Sequence, residues 1–234
     1  MVNLLGDKQE IVLKAIDRFG VITARQLSEF LKGSVSHVTV YTAKEKLQKL
    51  GFIEMEKHGR NLILYMRPTG VEYLGSSLTP FRNINYSQLK HQLTMIECIL
   101  GLKRFKEKKG ERFDFRTERE LRSHYLATNF NKSQRRNTTL LKSIPDRIPD
   151  FLVIEGDRKI AHEVELTQKS QKRYVRKMNM YHTELMNGRY QKVRYMCESD
   201  HIKRVVANIA KSEAFTPEHL ELMLVKQVVN IERN

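Results

Sequence analysis

The stretch Pro149-Asp150-Phe151-Leu152-Val153-Ile154-Glu155-Gly156-Asp157-Arg158-Lys159-Ile160-Ala161-His162-Glu163-Val164-Glu165-Leu166 decides how this chain is read. Two apolar, β-branched runs, 151–155 and 159–166, flank Gly156-Asp157, a pair of turn-forming residues. Strand residues two apart share a face, so Glu163 and Glu165 project together while His162 and Val164 point away. If the two strands pair, Asp150 lies beside that acidic pair. Converging carboxylate oxygens are hard ligands that suit Mg2+ or Mn2+, with Asp150 and Glu163 as metal ligands and Glu165 as a further ligand or proton acceptor. A metal held there would activate a bound water and stabilise developing negative charge. The plainer alternative is that Glu163 and Glu165 form the polar face of an exposed strand.

Upstream, a helix from Ser87 carries Leu89, Leu93, Ile96, Ile99, Leu100 and Phe105 at helical spacing until Lys108-Lys109-Gly110. Arg112-Phe113-Asp114-Phe115-Arg116 alternates as a strand does. A polar, basic stretch from about Thr117 to Arg147, with Arg119, Arg122, Lys132, Arg135, Arg136 and Lys142, reads as loop. Downstream, residues 169–186 have helical character and end at Gly188, residues 190–196 read as a strand, and residues 202–210 as a helix. Residues 220–228 are apolar but ambiguous in type. Within 169–186, Lys169, Lys172, Arg173, Arg176 and Lys177 form a continuous stripe at helical spacing, either a phosphate-tracking surface or a solvated face.

Laid end to end from residue 87, the order is helix, three strands, helix, strand. With Pro149-Asp150 opening the second strand and Glu163-Val164-Glu165 on the third, the region resembles the PD-(D/E)XK nuclease superfamily. The resemblance implies an αβββαβ domain over 85–234 with Asp150, Glu163 and Glu165 at its catalytic positions. Glu165 stands where the superfamily usually has lysine, although some members carry glutamate there. Lys169 or Lys172 are candidate nearby cations, and Glu97, Glu118 or Glu120 candidate further carboxylates; the sequence does not choose among them. Two expectations stay open: a Mg2+-dependent DNA endonuclease that nicks or cleaves, and a degenerate nuclease-like fold without that activity.

The N-terminal third has a different pattern. Asp7 and Glu10 have capping-box spacing ahead of Ile11, Val12, Ala15, Ile16 and Phe19; Thr23 can cap a second helix bearing Leu27, Phe30 and Leu31. After Lys32-Gly33-Ser34, a third helix from Ser36 to Leu50 carries Val40, Ala43, Leu47 and Leu50, with Gly51 as its stop. Phe52-Ile53-Glu54-Met55-Glu56 and Leu62-Ile63-Leu64-Tyr65-Met66 are strand-like around His58-Gly59-Arg60-Asn61. Helix, helix, helix, hairpin over residues 5–75 resembles the winged helix-turn-helix family. That resemblance implies that the third helix enters the major groove of double-stranded DNA. Ser36, His37, Thr39, Thr42, Lys44 and Lys46 would then face bases and phosphates, with Arg60 at the wing tip. Ser76-Ser77-Leu78-Thr79-Pro80 reads as a linker, which divides the chain into domains at 1–80 and 85–234.

Lys and Arg number 42 against 27 Asp and Glu in 234 residues, a formal surplus of +15. With 40% apolar residues the chain can bury a core, so the charge belongs to a folded surface that selects a polyanion, nucleic acid before an anionic membrane. Two cysteines, Cys98 and Cys197, form neither a disulfide framework nor a zinc pattern. Met1-Val2-Asn3-Leu4-Leu5 has no signal-like pattern, and no apolar run approaches the roughly 18 residues of a membrane span. A cytoplasmic protein without a membrane partner is expected.

A winged helix joined to Pro149-Asp150, then to Ala161-His162-Glu163-Val164-Glu165-Leu166-Thr167-Gln168-Lys169-Ser170, Arg173-Tyr174 and Tyr181, resembles the replication-relaxation family of plasmid and mobile-element proteins. The resemblance implies a DNA-binding accessory role in replication, relaxation or mobilisation, with a replication or relaxase protein, or a second copy of the chain, as partner. A winged-helix transcriptional regulator is the further alternative.

Overall fold

The computed structural model describes residues 4–78, 84–131, 133–137, 141 and 144–231. It is a mixed α+β chain with two compact units, Met1–Leu100 and Gly101–Asn234. Thr79 and Pro80 of the expected linker, and Lys132 and Lys142 of the basic stretch, lie outside the described residues.

In the first unit α1 (Asp7–Phe19) buries Val12, Leu13, Ala15, Ile16 and Phe19. Its N-cap is Gly6 rather than Asp7: the Gly6 amide donates to the Gln9 side chain at 3.1 Å, and with no side chain on the glycine to accept in return, only half of a capping box forms, one residue earlier than Asp7 and Glu10 suggest. Gly20, at φ +78, ends the helix and turns the chain into β1 (Val21–Thr23). Thr23 caps α2 (Ala24–Phe30), exchanging hydrogen bonds with Gln26. Ser36 accepts from the Thr39 amide at 3.1 Å and starts α3 (His37–Lys49), which buries Val40, Ala43 and Leu47. A hairpin follows, β2 (Ile53–His58) and β3 (Asn61–Met66), with β1 on the other edge of β3. The two-residue turn places Gly59 at φ +58 with Arg60 beside it. The short α4 (Pro68–Tyr73) begins at a proline, which needs no donor there.

The helix α5 (Tyr86–Lys108) runs through the division between the units. In the second unit a five-stranded sheet has the order β4-β5-β6-β7-β8: β4 (Asp114–Thr117), β5 (Phe151–Glu155), β6 (Arg158–Glu165), β7 (Lys192–Cys197) and β8 (Leu220–Leu224). The first three strands are antiparallel, while β6, β7 and β8 run parallel and are connected by α7 (Gln171–Met186) and α8 (Asp200–Ser212). These two helices cover one face of the sheet, where Leu152, Ala161, Val193, Tyr195 and Cys197 pack with Tyr174, Met178, Tyr181, Ile202 and Val206.

Residues 117–147 are not all loop. α6 (Glu118–Asn129) stands between the first two strands, begun by Thr117 and Glu120, whose side chains hydrogen-bond each other's backbone amides. The high charge of this segment concealed its cap. At the other end, the ambiguous 220–228 resolves into β8 followed by α9 (Val225–Val229). The second unit therefore has a helix within the expected αβββαβ order and a helix, strand and helix after it.

Candidate functional site

β6 is the central strand, and its residues from Ile160 to Glu165 are all buried. The acidic pair is therefore not the face of an exposed strand. Asp150 extends the β5–β6 ladder: its amide donates to the His162 carbonyl at 3.0 Å, and its Oδ2 accepts from the Val164 amide at 2.7 Å. Counting by twos, Asp150 and Leu152 on one side and Ala161, Glu163 and Glu165 on the other share the face beneath α7. In the parallel pairing, Glu163 is opposite Tyr195 and Glu165 opposite Cys197.

Each glutamate meets an ammonium and a phenol. Glu163, 3% exposed, accepts from the Tyr181 hydroxyl and lies 3.0 Å from Lys177 Nζ. Lys177 also donates to the Ile148 carbonyl at 2.7 Å. Glu165, 2% exposed, meets Lys169 Nζ at 2.5 Å and accepts from the Tyr174 hydroxyl at 3.3 Å. The Lys169 amide donates to the Tyr174 oxygen at 3.2 Å, which ties the end of β6 to the start of α7. Tyr174, Lys177 and Tyr181 fall at i, i+3 and i+7, so one face of α7 supplies all three.

Burial dominates the electrostatics. It pushes Glu163 up to about 7 against the pull of Lys177; the Asp150 charge adds to the rise, and Lys169 and Tyr181 oppose it. For Lys169 burial works against the charge, but Glu165 and Glu163 outweigh it and hold the ammonium above the usual lysine value. Tyr181 and Tyr195 are both driven well above the ordinary phenol value, first by burial and then by the Glu163 charge. The Tyr195 hydroxyl is buried without a hydrogen-bond partner among the described residues.

The donor chemistry does not fit the divalent ion expected on Asp150 and Glu163. Oxygens that a metal would need are engaged by Lys177, Lys169, two tyrosines and the Val164 amide. Among the described residues no three His, Cys, Asp or Glu side chains are gathered to hold a metal. Glu97 is in the first unit, where it accepts from Gln26 at 2.7 Å and pairs with Arg25. Glu118 and Glu120 start α6, and Glu120 is occupied in its cap.

The basic stripe also divides. Ser170 stands at the N-cap position of α7, so Lys169 precedes the helix and turns to Glu165, while Lys177 turns to Glu163. Lys172 and Arg173 are exposed, and Arg176 pairs with Asp146 at 3.2 Å. The continuous five-residue surface is thus corrected: two of its members belong to the buried cluster.

On α3, Ser36 and Thr39 form the cap, and His37 and Thr42 are exposed, with the Thr42 hydroxyl turned to the Val38 and Thr39 carbonyls at 3.2 Å. Lys44 is not on the outward face. It is 4% exposed because it falls on the inward stripe with Val40 and Leu47, its Nζ 2.6 Å from Glu45 and 4.0 Å from the Tyr41 ring centroid. Lys46 is exposed but reaches to Gln9 at 2.9 Å. Arg60 is exposed at the hairpin tip.

Sequence reasoning missed Tyr195, although alternation along Val193, Tyr195 and Cys197 signals its face. It also passed over Val38 and Tyr41, which are 70% and 57% exposed on α3. No protein-family model matches the chain, and no curated protein or solved structure is significantly similar to it. No helix among the described residues is long and apolar enough to cross a membrane.

Proposed function

We propose that this chain is a DNA-binding accessory protein of plasmid or mobile-element replication, relaxation or mobilisation, with a nuclease-like domain that does not cleave. In this reading the first unit is a winged helix-turn-helix, supported by three helices leading into a hairpin whose third strand is β1. The second is a degenerate PD-(D/E)XK domain, supported by Asp150, Glu163 and Glu165 on one sheet face under a helix. The observation that carries the non-catalytic half is the pairing of Glu163 with Lys177 and of Glu165 with Lys169. Internal ammonium groups supply the positive charge that a metal would otherwise bring. DNA is favoured over other partners by the surplus of +15, most of it C-terminal to Leu100, which phosphate neutralisation uses directly.

Two measurements test the two halves. Binding to duplex DNA, followed by fluorescence anisotropy across a salt series, should weaken steeply as salt rises; absence of binding at low salt overturns the DNA reading. Supercoiled plasmid incubated with Mg2+ or Mn2+ should stay supercoiled. Nicking by the wild type that disappears in Asp150→Ala and Glu163→Ala overturns the non-catalytic half and makes the chain an endonuclease. Footprints confined to its own promoter, and absent from a plasmid origin, would favour a transcriptional regulator.

A further inference from the structure

Val38 and Tyr41 stand on one turn of α3 and are 70% and 57% exposed, with Thr42 exposed next to them. Single exposed apolar residues are common on protein surfaces and need no explanation. A pair at i and i+3 on a helix whose inward stripe is already filled by Val40, Ala43 and Leu47 is different. Lys44 Nζ lies against the Tyr41 ring, 4.0 Å from its centroid, but the pair keeps its exposure, and His37, Thr42, Gln48 and Lys49 around it are exposed as well.

We propose that Val38, Tyr41 and Thr42 form an apolar reading surface for thymine methyl groups in the DNA major groove. This rests on the DNA-binding reading above and names what the helix recognises. The thymine C5-methyl is the apolar group on the floor of the major groove, and the groove is wide enough to admit a helix. The Thr42 hydroxyl is engaged by its own helix's carbonyls, so this residue offers no free donor to a base. Charge favours DNA over an apolar protein surface as the occupant: the chain carries a surplus of +15, and Lys32, just before the helix, is exposed. Beside the start of the helix runs a groove lined by Arg25, Ser28, Glu29, Lys32, Ser36 and His37, in which Arg25 is paired with Glu29 and Glu97, and Lys32 and the hydroxyls are left to meet a phosphate. Lys49 is exposed at the other end of the helix.

The full chain is first used to select its preferred duplex from a randomised pool. Thymines in that duplex are then replaced one at a time by deoxyuridine, which removes only the methyl. Removal of a contacted methyl should weaken wild-type binding about fourfold, the loss expected when one buried methyl-sized group is deleted. Val38→Ala should lose that discrimination at one position or more while keeping its salt dependence. Equal wild-type affinity for every thymine and uracil duplex overturns the inference and leaves DNA binding intact, whereas failure to bind any duplex at low salt overturns both. Sedimentation showing a dimer that Val38→Asp dissociates, together with no thymine discrimination, would instead assign this face to a second copy of the chain.

Discussion

Lys177 on α7 and Glu163 on the central strand β6 form a nearly dry ion pair, Nζ to Oε1 3.0 Å, with side chains 15% and 4% exposed. The ammonium takes a second acceptor at the Ile148 carbonyl, and the carboxylate a second donor from Tyr181. One pair thus joins the helix to the strand and to the segment entering β5. Removing one partner leaves the other buried and unpaired, which is the costly half of any internal ion pair. Lys177→Met should cost about 3–5 kcal/mol of unfolding free energy, whereas Lys172→Met on the exposed side of the same helix should change it by less than about 0.5 kcal/mol. Urea unfolding followed by circular dichroism measures both.

The same burial sets a pH dependence. Glu163 is raised to about 7 in the folded protein from an ordinary value of 4.5, so between those limits the folded state holds a proton that the unfolded chain has lost. The contribution favours folding fully below pH 4.5 and is lost as pH rises towards 7. It amounts to about 3 kcal/mol across that window. Glu163→Gln fixes the side chain in a neutral form, so the fall in stability from pH 5 to pH 7.5 should be shallower than in the wild type. Equal slopes in urea titrations at a series of pH values would contradict this origin.

Tyr181 and Tyr195 make opposite demands although both are fully buried phenols facing the same cluster. The Tyr181 hydroxyl donates to Glu163, so at a pH above the Glu163 value of about 7, where that group is a carboxylate, Tyr181→Phe should cost about 1.5–3 kcal/mol, the range for a hydrogen bond to a charged group. The Tyr195 hydroxyl has no partner among the described residues, so Tyr195→Phe deletes an unsatisfied group and should be neutral or stabilising by about 1 kcal/mol. Thermal unfolding of the two variants side by side distinguishes them by sign.

Sequence patterning revealed most elements but only part of this cluster. The apolar runs at 151–155 and 159–166 and the Gly156-Asp157 turn between them place Asp150, Glu163 and Glu165 together, because strand pairing and the two-residue side-chain period act locally. The cations were harder to assign. Lys169 and Lys177 are spaced like Lys172, Arg173 and Arg176, and charge alone does not say which side of a helix faces a sheet. That is decided by Tyr174, Met178 and Tyr181, whose burial orients α7 and carries Lys177 inward with them. Lys44 misled for the same reason: it reads with the charged run Glu45-Lys46, but its neighbours at i−4 and i+3 are Val40 and Leu47. α6 was hidden because its buried residue is the charged Arg119 and it carries no apolar stripe to announce a helix, leaving the cap at Thr117 and Glu120 as its main signal.

This division of the stripe predicts how charge reversal along α7 should act on DNA binding. Lys172 and Arg173 are exposed, so Lys172→Glu and Arg173→Glu should leave folding intact. Each should weaken duplex binding and reduce the slope of log affinity against log salt by about 0.9, as expected when one phosphate contact is lost. Arg176 shares its charge with Asp146, 3.2 Å away, so Arg176→Glu should affect binding less. Lys169→Glu and Lys177→Glu would set like charges beside Glu165 and Glu163 in a buried site, so their first effect should be loss of the fold, seen as a collapsed unfolding transition. A phosphate-tracking surface on this helix therefore requires two outward residues that change affinity without changing stability. If Lys172→Glu and Arg173→Glu bind duplex DNA with wild-type affinity and salt slope, α7 is a structural element held by its buried lysine, and the DNA contacts lie elsewhere on the chain.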